Sequence, residues 1–230
     1  MNTVTSNNTV TLSGRVVGKP EYSHEVFGEK FYDVKLDVKR LSDMSDILPI
    51  TVSERTMLTI PFATGDYVTV EGQFRSYNKL VDDKSKLMLT VFVRSAEASS
   101  ESVSVNKIEL NGFLCKNPIF RTTPFNREIC DMLLAVNRAY SKSDYIPCIA
   151  WGRNARFVKL LPVGQKMTII GRVQSRVYQK KLSETQVDER VAYEVSISKI
   201  VTEKQELEVA STISSRDSEQ LDFNNILNKF

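Results

Sequence analysis

The chain has 230 residues, with 31 Lys+Arg against 28 Asp+Glu for a formal charge of +3, and 41% hydrophobic residues. This composition argues against a fibrous repeat or a wholly disordered chain, and no apolar run approaches the ~20 residues of a membrane span. Three cysteines (Cys115, Cys130, Cys148), an odd number without CxxC spacing, argue against a disulfide framework or a zinc site and for a reducing compartment. Met1 to Ser6 shows no basic region followed by an apolar stretch, so no signal peptide is expected.

In chain order the elements read mostly as strands. Val10, Leu12 and Val16 alternate with polar residues around Gly14, the period-two signature of a half-buried strand. His24, the only histidine, lies in a polar, loop-like stretch, Tyr22-Ser23-His24-Glu25, and reads as a surface residue. Leu48, Ile50 and Val52 form the inner phase of a third strand, and Ile47, Pro49, Thr51 and Ser53 its outer phase. Leu58, Ile60, Pro61 and Phe62 do not make a clean helix. Val68, Val70, Gly72 and Phe74 alternate in a fourth strand whose other phase is Glu71, Gln73, Arg75, Tyr77 and Lys79. Asp82-Asp83, in a Lys-rich segment, reads as a hairpin turn. Ser95 to Ser102 is small, polar and Ser-rich, of linker type.

The series then begins again. Asn106, Ile108, Leu110 and Gly112 answer Asn8, Val10, Leu12 and Gly14. Val38/Val136, Arg40/Arg138, Asp46/Asp144 and Pro49/Pro147 share an offset of 98, and Gly65/Gly164, Gly72/Gly171 and Ser76/Ser175 an offset of 99. A colinear series of this kind predicts two copies of one domain: residues 1–97, a link over 98–105, residues 106–202, and a flexible tail over 203–230 where apolar alternation stops. In the second copy Arg153 to Leu161, with Phe157, Leu160 and Leu161 at helical spacing, predicts a short helix before Pro162. Five strands with a helix between the third and fourth is the layout of an OB-fold barrel. The expected fold is therefore all-β: two tandem five-stranded OB-fold barrels, each with a short helix.

Strand alternation also assigns faces. In the second copy Ile146, Cys148 and Ala150 point inward, and Tyr145, Pro147, Ile149 and Trp151 outward. In its fourth strand Met167, Ile169 and Val173 are inner, and Arg172, Gln174, Arg176, Tyr178 and Lys180 outer. A ladder of cations and rings is a poor core and a good platform for a polyanion with flat bases: the cations meet phosphates, and each ring stacks a base for about 1–3 kcal/mol. Charge partitions the same way. Residues 1–102 carry 12 Lys+Arg and 14 Asp+Glu, residues 103–202 carry 16 and 8, and residues 203–230 carry 3 and 6. A copy at +8 has the electrostatic footprint of a nucleic-acid binder.

On these residues the second copy resembles the bacterial single-stranded DNA-binding protein family. The resemblance runs from Asn106-Lys107-Ile108-Glu109-Leu110-Asn111-Gly112 through Pro118-Ile119-Phe120-Arg121 and Asp144 to Arg153, ending at Gly171 to Tyr178. It implies a non-enzymatic protein of the bacterial cytoplasm and nucleoid, coating single strands in replication, recombination and repair. It places base stacking on Tyr140, Tyr145, Trp151 and Tyr178. Phosphate contacts are expected from Arg138, Arg153, Arg156, Arg172, Arg176, Lys180 and Lys181. The first copy has Ser42, Ile47, Ser53 and Lys79 or Tyr77 at the stacking positions, so stacking is not carried over to it. The resemblance is to a tandem-barrel branch, in which a dimer would supply four barrels. A family tail tip that recruits replication and repair proteins falls on Asp222, Phe223 and Phe230, although Asn224, Asn225 and Lys229 depart from its acidic pattern.

No nucleophile–base set, HExxH or phosphate-cradling loop occurs, and no metal, cofactor or enzymatic activity is expected. Two other readings stay open on the residues alone: an OB-fold module that docks replication proteins, and a barrel protein for single-stranded RNA.

Overall fold

The computed structural model describes residues 7–42, 44–81, 83–181 and 187–202. The tail over 203–230 lies outside the described residues. The first half forms strands β1 (Asn8–Val26), β2 (Glu29–Lys39) and β3 (Ser45–Ser53), helix α1 (Glu54–Thr59), and strands β4 (Tyr67–Val81) and β5 (Lys84–Ala98). The second half forms β6 (Asn106–Leu114), β7 (Ile119–Thr122), β8 (Glu128–Arg138), β9 (Lys142–Trp151), α2 (Gly152–Val158), β10 (Lys166–Lys181) and β11 (Val187–Thr202).

Each half closes on itself. β1 pairs with β2, β2 with β3, β3 in parallel with β5, β5 with β4, and β4 with β1 again. The second half repeats the circuit as β6–β8–β9–β11–β10–β6, with β7 added outside β8. These are the two five-stranded OB-fold barrels that the repeat predicts. Inward phases fill them: Leu48, Ile50 and Val52 in one, and Ile146, Cys148 and Ala150 in the other, are buried, with Leu12, Phe74, Leu110 and Val173 among them. The repeated glycines mark where strands cross closely. A Cβ on Gly72 would stand 2.1 Å from the carbonyl oxygen of Phe92, and one on Gly171 2.3 Å from that of Ser196. Each sits at a register shift in its hairpin, where the bulged strand bends to close the barrel.

Several local expectations change. The first copy does have a helix, but it lies earlier than Leu58 to Phe62 suggests, over Glu54–Thr59. Ser53 caps it by accepting the N–H of Thr56 at 3.2 Å. The second helix ends at Val158 rather than Leu161 and buries Ala155 and Val158, while Leu160 is exposed. His24 is in the β1 strand, not a loop. The Ser95 to Ala98 part of the polar segment is the end of β5. Cys148 is buried, as its inward phase implies, and so is Cys130, whereas Cys115 follows β6 and is half-buried.

The barrels join edge to edge. β1 and β6 pair antiparallel, with Asn8 opposite Leu110, Val10 opposite Ile108 and Leu12 opposite Asn106. Because Asn8 and Asn106, and Leu12 and Leu110, are equivalent in the repeat, this pairing has a pseudo-twofold axis at Val10 and Ile108. Flanking bonds obey it: the Asn111 N–H donates to Asn7 and the Ser13 N–H to Val105, both at 2.8 Å. Away from the axis, each barrel plants a buried aspartate on the other. Asp46 accepts from Ser175, and Asp144 from the Ser76 N–H. Arg40 and Arg138 pair with Asp46 and Asp144 on their own sides, at 2.6 and 3.5 Å. The Arg, Asp and Ser positions that identify the repeat are therefore the residues of the barrel junction.

Candidate nucleic-acid interface

Four strands of the second barrel, in the order β8–β9–β11–β10, present one outward face. Tyr145 and Trp151 have the same parity on β9. Ile149, between them, pairs with Ser196 of β11. Ser196 pairs in turn with Arg172 of β10, Glu194 with Gln174, Ala192 with Arg176, and Arg190 with Tyr178. Directly paired residues share a face. The register thus brings Tyr145, Trp151, Arg172, Arg176 and Tyr178 onto one surface.

Their exposure fits a contact surface: Tyr145 is 47%, Trp151 37% and Tyr178 37% exposed. Ile149, expected outward, is buried, as is Ile129 opposite Trp151; both lie outside the main core cluster. The rings thus stand on an apolar base. The Trp151 indole N–H donates to the Ser196 hydroxyl at 3.2 Å, which fixes the ring beside β11. Tyr140 lies in the turn between β8 and β9, 93% exposed, with a left-handed backbone (φ 60°).

The cations are less free than their number suggests. Arg176 lies 3.4 Å from the buried carboxylate of Glu194, which also accepts the Gln174 amide at 2.8 Å. Arg176 also stands 5.8 Å from the Tyr178 ring centre. Arg172 donates to Gln174 at 3.1 Å and lies 3.9 Å from Asp46 of the first barrel. Burial and the nearby Arg40 push its guanidinium pKa down, against Asp46. Arg138 is committed to Asp144, and Arg156, on α2, to Glu128 at 3.4 Å. Arg153, also on α2, is exposed. Lys180 and Lys181 continue β10 beyond Tyr178; their side chains lie outside the described residues, as do Asp222, Phe223 and Phe230 entirely.

Composition and spacing gave no sign of Glu194 as an acid within the cationic face. Its strand parity with Ala192 and Ser196 could have placed it there. Among the described residues no group of three or more His, Cys, Asp or Glu could hold a metal ion. No helix among them is long and apolar enough to cross a membrane.

Residues 105–201 match the single-strand binding protein family. The chain is 34% identical over 84 residues to single-stranded DNA-binding protein 1 of Staphylococcus aureus (strain COL), covering 34% of this chain and 50% of that protein. It is 33% identical over 84 residues to single-stranded DNA-binding protein A of Bacillus subtilis (strain 168), covering 34% and 49%. The chain thus spans about half the length of these curated relatives. The crystal structure of wild-type single-stranded DNA binding protein from Thermus aquaticus superposes with a TM-score of 0.68 at 19% identity, over 85% of this chain and 92% of that one. That likeness is one of fold.

Proposed function

We propose, from a second barrel that matches the single-strand binding protein family, that this chain is a non-enzymatic single-stranded DNA-binding protein. In this reading it coats and protects exposed strands during replication, recombination and repair. The observation that carries it is the outward face on which Tyr145, Trp151 and Tyr178 alternate with Arg172 and Arg176 over an apolar base. Bases stack on the rings, each for about 1–3 kcal/mol, and phosphates run along the guanidinium groups. Tyr140, at the tip of its turn, closes over the strand from one side. Arg153, and Lys180 and Lys181 further along β10, extend the cationic track. No base edge needs to be read, so binding tolerates any sequence. Two chains together present four barrels, and the tail residues Asp222, Phe223 and Phe230 recruit other proteins of the same processes.

Trp151 is the only tryptophan, so intrinsic fluorescence reports this face alone. Oligo(dT) quenches it, with an affinity that falls steeply as salt rises. Unchanged emission with saturating strand at low salt overturns the stacking assignment. Competition with oligo(U) distinguishes DNA from RNA, and light scattering with and without strand measures the number of chains in the complex.

A further inference from the structure

The first hairpin of each barrel ends on an exposed ring. Phe27 lies at the tip of the β1–β2 hairpin and Phe125 at the tip of the β7–β8 hairpin. The two are 98 residues apart, the offset of the repeat. Phe27 is fully exposed and Phe125 87% exposed. Val26 and Pro124, also equivalent and exposed, extend each apolar tip. The backbones that hold the rings differ. Phe27 and Gly28 form a two-residue turn between Val26 and Glu29, with φ of 51° and 80°. Such a turn favours Asn-Gly, and a bulky residue at the first position is strained. In the second barrel Pro124 and Phe125 are the central residues of a turn closed by the Asn126 N–H on the Thr123 carbonyl at 2.9 Å, and Asn126 takes the left-handed position with φ 56°. The repeat changes the turn and keeps the ring, in the first barrel against a backbone cost.

The tips differ in charge. Over the equivalent windows 21–30 and 119–128, the first carries Glu21, Glu25 and Glu29 against Lys30, and the second Arg121 and Arg127 against Glu128. Four of these charges are engaged within their own barrels: Glu29 with Arg55, Lys30 with Glu54, Arg121 with Asp131 and Glu128 with Arg156. Among the described residues Glu21, Glu25 and Arg127 have no ion-pair partner, and all three are exposed. An acidic tip repels a polyanion, so Phe27 is not placed for the strand itself. It complements the basic tip of another copy. Because β1 and β6 pair antiparallel about the pseudo-twofold axis, the two hairpins leave the junction in opposite directions.

We propose that the acidic Phe27 tip of one chain docks on the basic Phe125 tip of the next chain along the same strand, ring against ring and Glu25 against Arg127. The contact is heterologous and does not close on itself, so it builds a row. One aromatic pair and one exposed ion pair together supply a factor of about 10, which does not hold free chains together. On a shared strand neighbours already stand at an effective concentration in the millimolar range, and the same factor appears there as cooperativity. This rests on the strand-binding reading above and adds how neighbouring chains meet.

The test titrates full-length chain, by Trp151 emission, with an oligo(dT) long enough for one bound particle (a chain or a pair of chains) and with one long enough for several. Wild type should bind the long strand cooperatively, by about tenfold over the short one. Phe27→Asn, which installs the favoured Asn-Gly turn, and Phe125→Asn should each remove most of that factor while affinity for the short strand and thermal unfolding are kept. Glu25→Lys and Arg127→Glu should each lower it, and the two combined should restore it. Cooperativity that survives both Phe substitutions, or charge reversals that do not rescue each other, overturns the contact. An equal loss on the short strand would mean that the tips hold DNA, and fewer chains per particle by light scattering without strand would mean that they serve a preformed assembly; either overturns it. Wild type that binds both lengths equally per site overturns the docking alone, and wild type that binds neither overturns strand binding as well.

Discussion

Asp46 in the first barrel accepts both the N–H and the hydroxyl of Ser175 in the second, at 2.7 and 2.9 Å. The pseudo-twofold mate of this contact joins Asp144 to the N–H of Ser76 at 2.8 Å, and the Ser76 hydroxyl takes the Tyr145 N–H at 2.7 Å. The second contact ties a junction residue directly to the backbone of Tyr145, whose ring belongs to the proposed strand-binding face. The junction and the proposed face thus meet at the Tyr145 backbone.

Asp46 is completely buried, and Asp46→Asn removes a charge-assisted acceptor from both Arg40 and Ser175. The expected loss is about 2–3 kcal/mol in urea unfolding. The same carboxylate carries a pH signature. Burial by itself would raise its pKa, but the Arg40 guanidinium and the two Ser175 bonds outweigh burial and hold it below the ordinary carboxylate range. A lowered folded-state pKa means the stabilisation is full above the unfolded value near ~4 and is lost as pH falls through the lower folded value. Urea midpoints measured downward from neutral pH should fall below about pH 4 in the wild type, and less so in Asp46→Asn.

Glu194 is a buried acid within the cationic face, holding Arg176 and Gln174. Glu194→Gln keeps a hydrogen-bonding side chain of the same size and frees the Arg176 charge. Affinity for oligo(dT) at low salt should rise several-fold, with a steeper salt dependence. A fall in affinity would mean that Glu194 serves to position Arg176 rather than to restrain it.

Gly171→Ala would place a methyl group 2.3 Å from the Ser196 carbonyl oxygen, a backbone atom that can yield only by opening the β10–β11 hairpin. Destabilisation of about 1–3 kcal/mol is expected. Because the Ser196 hydroxyl holds the Trp151 indole, the same substitution should shift Trp151 emission in the folded protein. A variant with native stability and native emission would contradict this geometry.

The cysteines give a simple check on the cores. Burial pushes the Cys148 thiol far above its ordinary range, with Glu194 and Cys115 adding to it, and also raises Cys130 and Cys115. Native protein should react slowly with a disulfide reagent, and first at the half-buried Cys115, whereas denatured protein should react at all three. Rapid labelling of Cys148 in native protein would place it outside the barrel.

Much of this molecule is legible in its sequence because strand alternation is local. Period two tells inside from outside at Ile146, Cys148 and Ala150 against Tyr145 and Trp151, with no knowledge of which strand lies next. The 98-residue repeat likewise announces two copies of one barrel, and partition of the charge locates the cationic copy. Alternation cannot say what sits opposite. Asp46 meets Ser175 across 129 residues of chain, Glu194 meets Arg176 across a hairpin, and His24, Phe31, Phe92 and Arg75, each in contact with the next, come from four strands. Those contacts depend on register and barrel closure, which are set by the sum of many weak pairings rather than by any one segment. The sequence by itself therefore determined two barrels and the aromatic, basic face of the second. Only the tertiary structure decided that its repeated Arg, Asp and Ser residues join the barrels.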